Sequence, residues 1–303
     1  MATIQQKTDL PGDTLPYEYK RKGIKGGVHW VVIQILNLLP KKAAQFLFTL
    51  ASEKGEETRT VSDTVATFQA LEIMYTFPQK RKEGTATSSG FIWWTVLDNA
   101  RSVWNRLLLV KQELREAVLT VAAQKGSVHF LSIGSGSARP ALGAIASLEQ
   151  EVPIESMLLD QNPQATEFSR KLAQQFNLNH TQWVTGDFFR LEQHCRSFHP
   201  NVIELVGLLD YLNNTLAIFF LKKVFRVLEP GGFLITGNIA PNLERPYVEK
   251  GVKWPSMVYR TEEDLKGLLL EAGFAENHIR IQREPLGIHM VATVRKPQES
   301  MVS

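Results

Sequence analysis

Two glycines separated by one residue, Gly134-Ser135-Gly136, stand between an apolar run and a helix-forming stretch. Glycine lets the backbone turn tightly and lie close to a ligand because it has no Cβ. A turn of this kind between a strand and a helix is typical of a site for a ligand that carries a phosphate, a ribose or a charged tail. We therefore predict that Gly134, Ser135 and Gly136 bind a cofactor.

Acidic residues follow the next two strands that the sequence predicts. Asp160 ends the second strand, where an acidic residue accepts hydrogen bonds from both hydroxyls of a ribose. Its alternative role is a helix N-cap, since a helix is predicted to begin at Pro163. Asp187 follows the third strand, where it could bind the amino group of an adenine while Phe188 covers the base. The predicted cofactor-binding residues are Gly134, Ser135, Gly136, Asp160, Gln161, Gly186, Asp187, Phe188 and Gly207.

Candidate catalytic residues lie on the loops after the fourth and fifth strands. Asp210 and Tyr211 follow the fourth strand and are expected to form the floor of an acceptor pocket. Arg245 or Arg260, on the long loop after the fifth strand, could clamp an acceptor carboxylate, or could brace the loop through an ion pair. Tyr247 could join Asp210 and Tyr211 in steering a cationic acceptor. No grouping of His, Asp and Glu has the sequence spacing of metal ligands, so we predict a metal-free reaction.

The elements that position these residues change in character near residue 125. Before it, apolar residues recur at helical spacing, which predicts helices over 62–76 and 91–123 and a polar linker over 80–90. After it, apolar strands alternate with helices, which is typical of a parallel sheet covered on both faces. The predicted strands are 128–133, 156–159, 182–184, 202–206, 233–236, 279–284 and 288–295.

The predicted fold class is α/β: a Rossmann-like doubly wound sheet of seven strands, the last of them antiparallel, with an N-terminal helical extension. The predicted domains are a helical extension or lid over 1–125 and a Rossmann-like domain over 126–303. In an open sheet of this kind, ligands bind outside the carboxyl ends of the strands. The candidate residues on the different loops should therefore meet at one edge of the sheet.

The helical extension also carries residues that could reach the site. Its tryptophans could close over an apolar acceptor and exclude water, or could attach the extension to the sheet. Arg101, Asn105 and Arg106 share roughly one helix face, from which they could brace the carboxylate of a cofactor or form salt bridges with the body of the protein. His289, on the last strand, could reach the pocket or pack within the sheet. The amphipathic segment 29–50 predicts a helix pair on the core, with peripheral membrane contact as the alternative.

Composition limits the class of protein. The 303 residues are 44% hydrophobic and 21% charged, as in an ordinary globular protein. A net charge of +3 without a basic stripe disfavours a nucleic-acid partner. The single cysteine, Cys195, and a polar N-terminus without the layout of a signal peptide favour the cytoplasm. No apolar run is long enough to predict a transmembrane segment, and the sequence leaves the oligomeric state open.

Two cofactor classes fit the glycine turn: a nicotinamide dinucleotide and S-adenosylmethionine. The dinucleotide fingerprint requires a third small residue for helix–strand packing, and Ala138 could serve. The second half of the chain disfavours this class. It contains a helix, a Pro-Gly-Gly turn and a strand in "VFRVLEPGGFLITGN", and it ends in a strand pair rather than a further βαβ unit.

The order and spacing of several motifs resemble those of the class I S-adenosylmethionine-dependent methyltransferases. The motifs are "FLSIGSGSARPAL", "LLDQNP", "VTGDFF", "LVGLLDYL" and "RVLEPGGFLI", and the resemblance covers roughly residues 126–296. It implies S-adenosylmethionine as the cofactor and a methyl transfer as the reaction. That family often has an acidic residue two positions before the first glycine, where this chain has Ser132.

A narrower resemblance concerns the acceptor. The segments "GLLDYL" and "GNIAPNLERPYVEKGVKWPSMVYRTEEDL" and the helical segment "DNARSVWNRLLLV" resemble a bacterial branch of these enzymes that acts in 3-hydroxypalmitic acid methyl ester biosynthesis, in which a fatty-acid carboxylate is methylated. We expect O-methylation of a carboxylate or hydroxyl on a small molecule. The alternatives are N-methylation of a natural-product amine, a non-catalytic scaffold that binds S-adenosylmethionine, and an NAD-dependent oxidoreductase. A carboxylate acceptor needs no general base, whereas a hydroxyl or an amine does.

Overall fold

The computed structural model describes residues 15–52, 60–61, 67–148, 150–178, 180–252, 254 and 256–298. The polar start of the chain lies outside the described residues. So does the predicted beginning of a helix at residue 62.

A seven-stranded sheet forms the centre of the described chain, with the strand order β3-β2-β1-β4-β5-β7-β6. The strands β1 to β5 pair in parallel, and β7 runs antiparallel to both of its neighbours, β5 and β6. This topology confirms the predicted fold class. The strands are β1 Val128–Ile133, β2 Ile154–Asp160, β3 Thr181–Thr185, β4 Val202–Leu205, β5 Phe233–Ile239, β6 Ile279–Arg283 and β7 His289–Arg295.

The fifth strand is longer than its sequence predicts. Gly237 and Asn238 have low strand propensity, yet both pair with β7, opposite Val291 and Met290. A Cβ on Gly237 would lie 2.4 Å from the carbonyl oxygen of Met290, so the close approach of the two backbones requires glycine. The strand therefore continues because of a long-range pairing that the local sequence does not show.

Helices flank the sheet and extend beyond it on the N-terminal side. The longer ones are α1 Gly23–Leu38, α2 Lys41–Ser52, α3 Phe68–Glu83, α4 Ser88–Val96, α5 Asp98–Lys125, α6 Arg139–Ala146, α7 Pro163–Gln175, α8 Asn214–Val227 and α9 Glu262–Glu271. The single helix predicted over 91–123 is in fact two, because Leu97 takes an extended conformation (φ −104°, ψ 117°) between α4 and α5. The predicted linker is shorter than 80–90, since α3 continues to Glu83 and ends at left-handed Gly84.

The long helix α5 covers one face of the sheet. Its buried residues Val110, Leu114 and Val118 belong to the same apolar cluster as Val128 and Phe130 of β1. The boundary predicted at residue 125 therefore separates a helix from the sheet on which it packs. The segments that extend beyond the sheet are α1 to α4. Buried residues of these helices belong to two further clusters, one shared with Tyr247 and Val252 and the other shared with α5.

No described helix combines the length and the apolar character that crossing a membrane requires.

Candidate active site

A cavity of about 400 Å³ lies where the carboxyl ends of β1, β2 and β4 meet the N-terminal helices. This volume is within the range of small-molecule sites. The loops after the strands contribute mainly polar groups and glycines, among them Gly134, Gly136, Asp160, Gln161, Asn162, Gly207 and Asp210. The helices α2 to α5 contribute mainly apolar groups, among them Phe48, Leu71, Met74, Phe77, Trp93, Trp94 and Val103.

The glycine turn after β1 is held by the carboxylate of Asp160. Gly134 and Gly136 both have positive φ, of 64° and 55°, which explains the choice of glycine. The amide of Gly136 donates to Asp160 Oδ2 at 2.7 Å, and the amide of Asn162 donates to Oδ1 at 2.8 Å. Asp160 does not cap α7, because Asn162 accepts the capping bond from the amide of Gln164.

The remaining predicted cofactor residues divide into two groups. Gln161, Phe188 and Gly207 line the cavity, whereas Ser135, Gly186 and Asp187 are not part of its wall. Asp187 is exposed, and its Oδ1 accepts the amide of Phe189 at 2.9 Å as the cap of a short 3₁₀ turn. A Cβ on Gly186 would lie 2.9 Å from the ring of His194, so this glycine allows close packing there.

The wall near the strand ends fits a cofactor of the predicted kind. Gly136 has no side chain and a φ of 55°, so its backbone is open to a ligand in the cavity that it lines. Asp160, Gln161, Asn162 and Phe188 line the same cavity. Together they offer acceptors for ribose hydroxyls and an apolar surface for a base.

Asp210 and Arg106 form a buried charged pair in the cavity wall. Asp210 Oδ2 lies 3.8 Å from Arg106 Nη1, and Asp210 Oδ1 accepts the amide of Ile239 at 2.8 Å. Burial raises the pKa of the Asp210 carboxyl to about 6, although the Arg106 guanidinium acts in the opposite direction. Tyr211 also lines the cavity, and its hydroxyl accepts a hydrogen bond from Trp254 Nε1 at 3.0 Å.

Arg106 has an unpaired donor inside the protein. Its Nη2 donates to the hydroxyl of Tyr75 at 3.3 Å, and its buried Nε has no hydrogen-bond partner. Arg101 and Asn105 share the helix face but act as braces: Arg101 pairs with Glu18 and Asp98, and Asn105 bonds to the backbone of Glu18 and to Glu284. Arg106 is also the one arginine among the described residues that line the cavity.

His289 of β7 is buried and lines the cavity. Its Nδ1 lies 3.0 Å from Ser102 Oγ. Burial holds the pKa of His289 well below its ordinary value, and the charge of Arg106 acts in the same direction. The imidazole is therefore neutral at pH 7, and the same two causes make its protonated form costly.

Arg260 does not reach the cavity, which corrects its prediction as an acceptor clamp. All its N–H donors are used within the protein: Nε and Nη2 bond to Asn214 Oδ1, Nη1 to Asn238 Oδ1 and the Leu209 carbonyl, and Nη2 also to the Leu212 carbonyl. The side chain is 1% exposed. It braces three chain segments around the ends of β4 and β5.

Arg245 and Tyr247 also lie away from the cavity wall. The Arg245 side chain is 47% exposed, its Nε donates to Glu249 at 2.9 Å, and its guanidinium lies 4.3 Å from the centre of the Tyr259 ring. Tyr247 is fully buried and stacks on Trp93, with 6.2 Å between the ring centres. Neither side chain is placed to clamp or steer an acceptor, since the loop packs back on the helical extension.

One group of potential metal ligands appears among the described residues, although the sequence spacing predicts none. It consists of His29, Asp98 and Glu244, which lie far apart in the chain. None of the three lines the cavity. The Glu244 carboxylate accepts the amides of Asp98 and Asn99 at 2.6 and 2.8 Å, so it acts as a cap for the start of α5. The metal-free reaction stays a prediction.

Solved structures show what this fold resembles. A structure described as a possible exported protein from Bordetella parapertussis aligns with 89% of this chain and 93% of that chain, at a TM-score of 0.70 and 14% identity. The S-adenosylmethionine-dependent methyltransferase SibL, in its apo form, aligns with 92% of this chain and 79% of that chain, at a TM-score of 0.50 and 17% identity. At such identities the likeness shows the fold alone. The predicted cytoplasmic location stays a prediction.

The family comparison is more specific. None of the curated proteins compared with the sequence matches it. A family model described as "Putative methyltransferase" matches residues 68–296, which begin at α3 and include the whole sheet. The match confirms the predicted enzyme class. This chain belongs to that methyltransferase family.

Proposed function

We propose that the enzyme O-methylates a small molecule with an apolar body and a carboxylate or hydroxyl head, which gives a methyl ester or ether. S-adenosylmethionine is the cofactor, and its sulfonium supplies an electrophilic methyl group when bound. The task of the protein is therefore to align an acceptor oxygen with that methyl group. Alignment of this kind lowers a barrier by about 7–11 kcal/mol in well-oriented cases.

The polar end of the cavity would hold the cofactor. Each oxygen of Asp160 already accepts one backbone amide and keeps a further lone pair for a ribose hydroxyl. Gly134 and Gly136 leave room for the methionine part, and Phe188 offers a ring beside the base. Because Asp160 also fixes the glycine turn, it acts both as a ligand and as a positioning residue in this proposal.

The apolar end of the cavity would hold the acceptor. Its wall is built from α2 to α5 and includes Phe48, Phe77, Trp93, Trp94 and Val103. These helices would act as the predicted lid, because an apolar acceptor between them and the sheet excludes water from the reacting atoms. The resemblance to the hydroxypalmitic acid methyl ester branch supports an acceptor with a long apolar body.

The main support for this proposal is the position of the buried Arg106. It lies beside the end of β4: its Nη1 is 3.8 Å from the position of a Cβ on Gly207 and 3.8 Å from Asp210 Oδ2. Asp160 ends β2, on the other side of β1 in the sheet order. Arg106 thus stands opposite the ribose site, and its guanidinium, which lines the cavity, could donate to an acceptor carboxylate.

The requirement for a base depends on the acceptor head. A carboxylate is already ionised and needs no base, so Arg106 and the shape of the cavity would suffice. A hydroxyl must lose its proton, and His289 is an imidazole in the cavity wall that could accept it, although burial and the charge of Arg106 lower its pKa and make it a weak base. Its bond with Ser102 would hold the ring in place.

The test compares acceptors that differ in one group. The release of S-adenosylhomocysteine is measured with a carboxylic acid, an alcohol and an amine of the same alkyl chain, at several chain lengths. We expect turnover with the acid or the alcohol, and a kcat/KM that rises with chain length because each added methylene is buried. Turnover with the amine alone would contradict the proposal.

An amine acceptor has one observation in its favour. Asp210, Tyr211 and Trp254 line the same cavity and could hold a cation. However, Asp210 already has the Arg106 guanidinium 3.8 Å away. A cationic acceptor would meet that positive charge in a buried site, which disfavours its binding.

A further inference from the structure

The first helix exposes an apolar stripe. Ile24, Val28, Val31, Ile35 and Leu38 follow one another at intervals of four and three residues, so they share one face of α1. All five side chains are exposed, from 49% for Val31 to 87% for Ile24. We call these five residues the outer stripe. A row of this kind in water indicates that something covers it, since single exposed apolar residues are ordinary but aligned ones are not.

The opposite face of α1 packs on the protein. Ile33 and Leu36 are buried there, in one cluster with Ala44 and Phe48 of α2 and Trp93 of α4. The helix α2 repeats the arrangement: Phe46, Leu47 and Leu50 are exposed, while Phe48 lines the cavity. Both helices thus use one apolar face inside the protein and leave a second one outside.

The charge of this segment has a single sign. Residues 19–52 contain no Asp or Glu, and their basic residues are Lys20, Arg21, Lys22, Lys25, Lys41 and Lys42. The five lysines are exposed, whereas Arg21 pairs with Asp98. Apolar side chains bordered by lysines match the boundary between the anionic headgroups and the acyl chains of a bilayer.

We propose that α1 and α2 dock on an anionic lipid surface. The outer stripe and the exposed side chains of α2 enter the interface, and the lysines contact the headgroups. Trp30, exposed on the flank of the stripe, is of the type that is enriched at such interfaces.

A second copy of the chain fits the stripe less well. The spacing of four and three is also that of a coiled-coil seam, but it extends over only two heptads, and stable seams need more. The flanks of such seams are joined by pairs of opposite charge. Two copies of this segment would instead bring lysines against lysines.

Docking of α1 and α2 on a membrane would place the cavity close to acceptor molecules in the bilayer. Phe48 of α2 and Trp93 of α4 line the cavity, and Phe91 and Ile92 of α4 are exposed beside them in the chain. An acceptor with an apolar body concentrates in the bilayer on which these helices lie. This consequence rests on the proposed function, whereas the docking itself does not.

The experiment measures cosedimentation of the full chain with vesicles, without cofactor or acceptor. One set of vesicles contains phosphatidylglycerol mixed with phosphatidylcholine, and the other contains phosphatidylcholine alone. We expect binding to the anionic set that weakens as salt is added. The Lys41→Gln/Lys42→Gln variant should bind roughly fivefold more weakly for each lysine removed.

The stripe is tested by Val31→Ser/Ile35→Ser, with Leu270→Ser on α9 as the matched control. Leu270 is 39% exposed and lies outside the stripe, so the control changes an exposed apolar residue elsewhere. We expect the stripe variant to bind the anionic vesicles at least tenfold more weakly than the wild type, and the control to bind them as the wild type does. The circular dichroism spectrum and the affinity for S-adenosylhomocysteine should match those of the wild type in both, because the changed side chains are exposed.

Three results would overturn the proposal. One is that the wild type does not bind anionic vesicles, and another is that it binds them equally well after the stripe is changed. The third is a wild-type dimer, by light scattering, that the stripe variant converts to monomer. Vesicle binding by an enzyme that methylates only a water-soluble amine would leave the docking intact and refute the proposed acceptor, so the two failures are distinguishable.

Discussion

Ser132 donates a hydrogen bond to the carboxylate of Glu204, and the two residues are direct partners in the parallel pairing of β1 and β4. Ser132 occupies the position at which related methyltransferases often have an acidic residue. In this chain the neighbouring strand places a carboxylate beside that position. The carboxylate is buried, and burial raises its pKa to about 7, although Ser132 and Arg106 act in the opposite direction.

This pair predicts a pH-dependent stability. Because the pKa of Glu204 is higher in the folded chain than its ordinary value of 4.5, ionisation costs more in the folded state. The free energy of unfolding of the wild type should therefore fall, relative to Glu204→Gln, as the pH rises from about 4.5 to about 7, by up to about 3 kcal/mol. Urea unfolding of both proteins across this range measures the difference. A difference that stays constant with pH would contradict the prediction.

Arg106 should affect the acceptor more than the cofactor. In Arg106→Gln, kcat/KM for a carboxylate acceptor should fall by about 10- to 100-fold, since a charge-assisted hydrogen bond contributes roughly 1.5–3 kcal/mol. The Kd of S-adenosylhomocysteine should change less than threefold, as calorimetry can establish. Arg245→Gln is the matched control, because that arginine is exposed and pairs with Glu249. If Kd rises instead, Arg106 binds the cofactor.

Asp160 and Asp187 are expected to differ as cofactor ligands, although both follow strands. Asp160→Asn should weaken S-adenosylhomocysteine binding by about 10- to 100-fold, because the carboxylate both fixes the glycine turn and lines the cavity. The Asp187→Asn variant should bind S-adenosylhomocysteine almost as tightly as the wild type does, since Asp187 is exposed and outside the cavity wall. Calorimetry on the two variants tests the assignment. Equal losses of affinity in the two variants would mean that the adenine of the cofactor reaches Asp187.

Arg260 should act through stability. In Arg260→Met the side chain of Asn214 and two backbone carbonyls lose buried donors, so the free energy of unfolding should fall by about 3–5 kcal/mol. Arg260→Lys should recover little of this, because an ammonium group cannot reproduce the planar fork of donors. Arg245→Met is the exposed control and should change stability by less than about 1 kcal/mol. If the Arg260→Met variant is as stable as the wild type but has a raised KM for the acceptor, Arg260 binds the acceptor after all.

The sequence by itself determined the features that depend on neighbouring residues. Strand and helix alternation after residue 125 predicted the sheet, because the central strands of a parallel sheet that helices cover are apolar on both faces. The glycines of the turn were identifiable because their positive φ is a local requirement. The order of the motifs was enough to indicate the methyltransferase family.

The tertiary structure decided which charged side chains meet. Arg106, Arg245 and Arg260 are chemically alike, and no local pattern shows that one lines the cavity, one is exposed and one braces backbone carbonyls. The hydrogen-bond partners of Arg260 all lie more than 20 residues away in the chain. Hydrogen bonding of a long side chain depends on which segments the packed core brings within its reach, and that is a property of the whole chain.

The same reason explains the outer stripe. The periodicity of α1 predicts an amphipathic helix, but it does not say which of two apolar faces packs inside. Ile33 and Leu36 are buried because the cluster with Phe48 and Trp93 forms on their side, which leaves Ile35 in water. A helix buries the face for which partners exist, and only the folded chain supplies those partners.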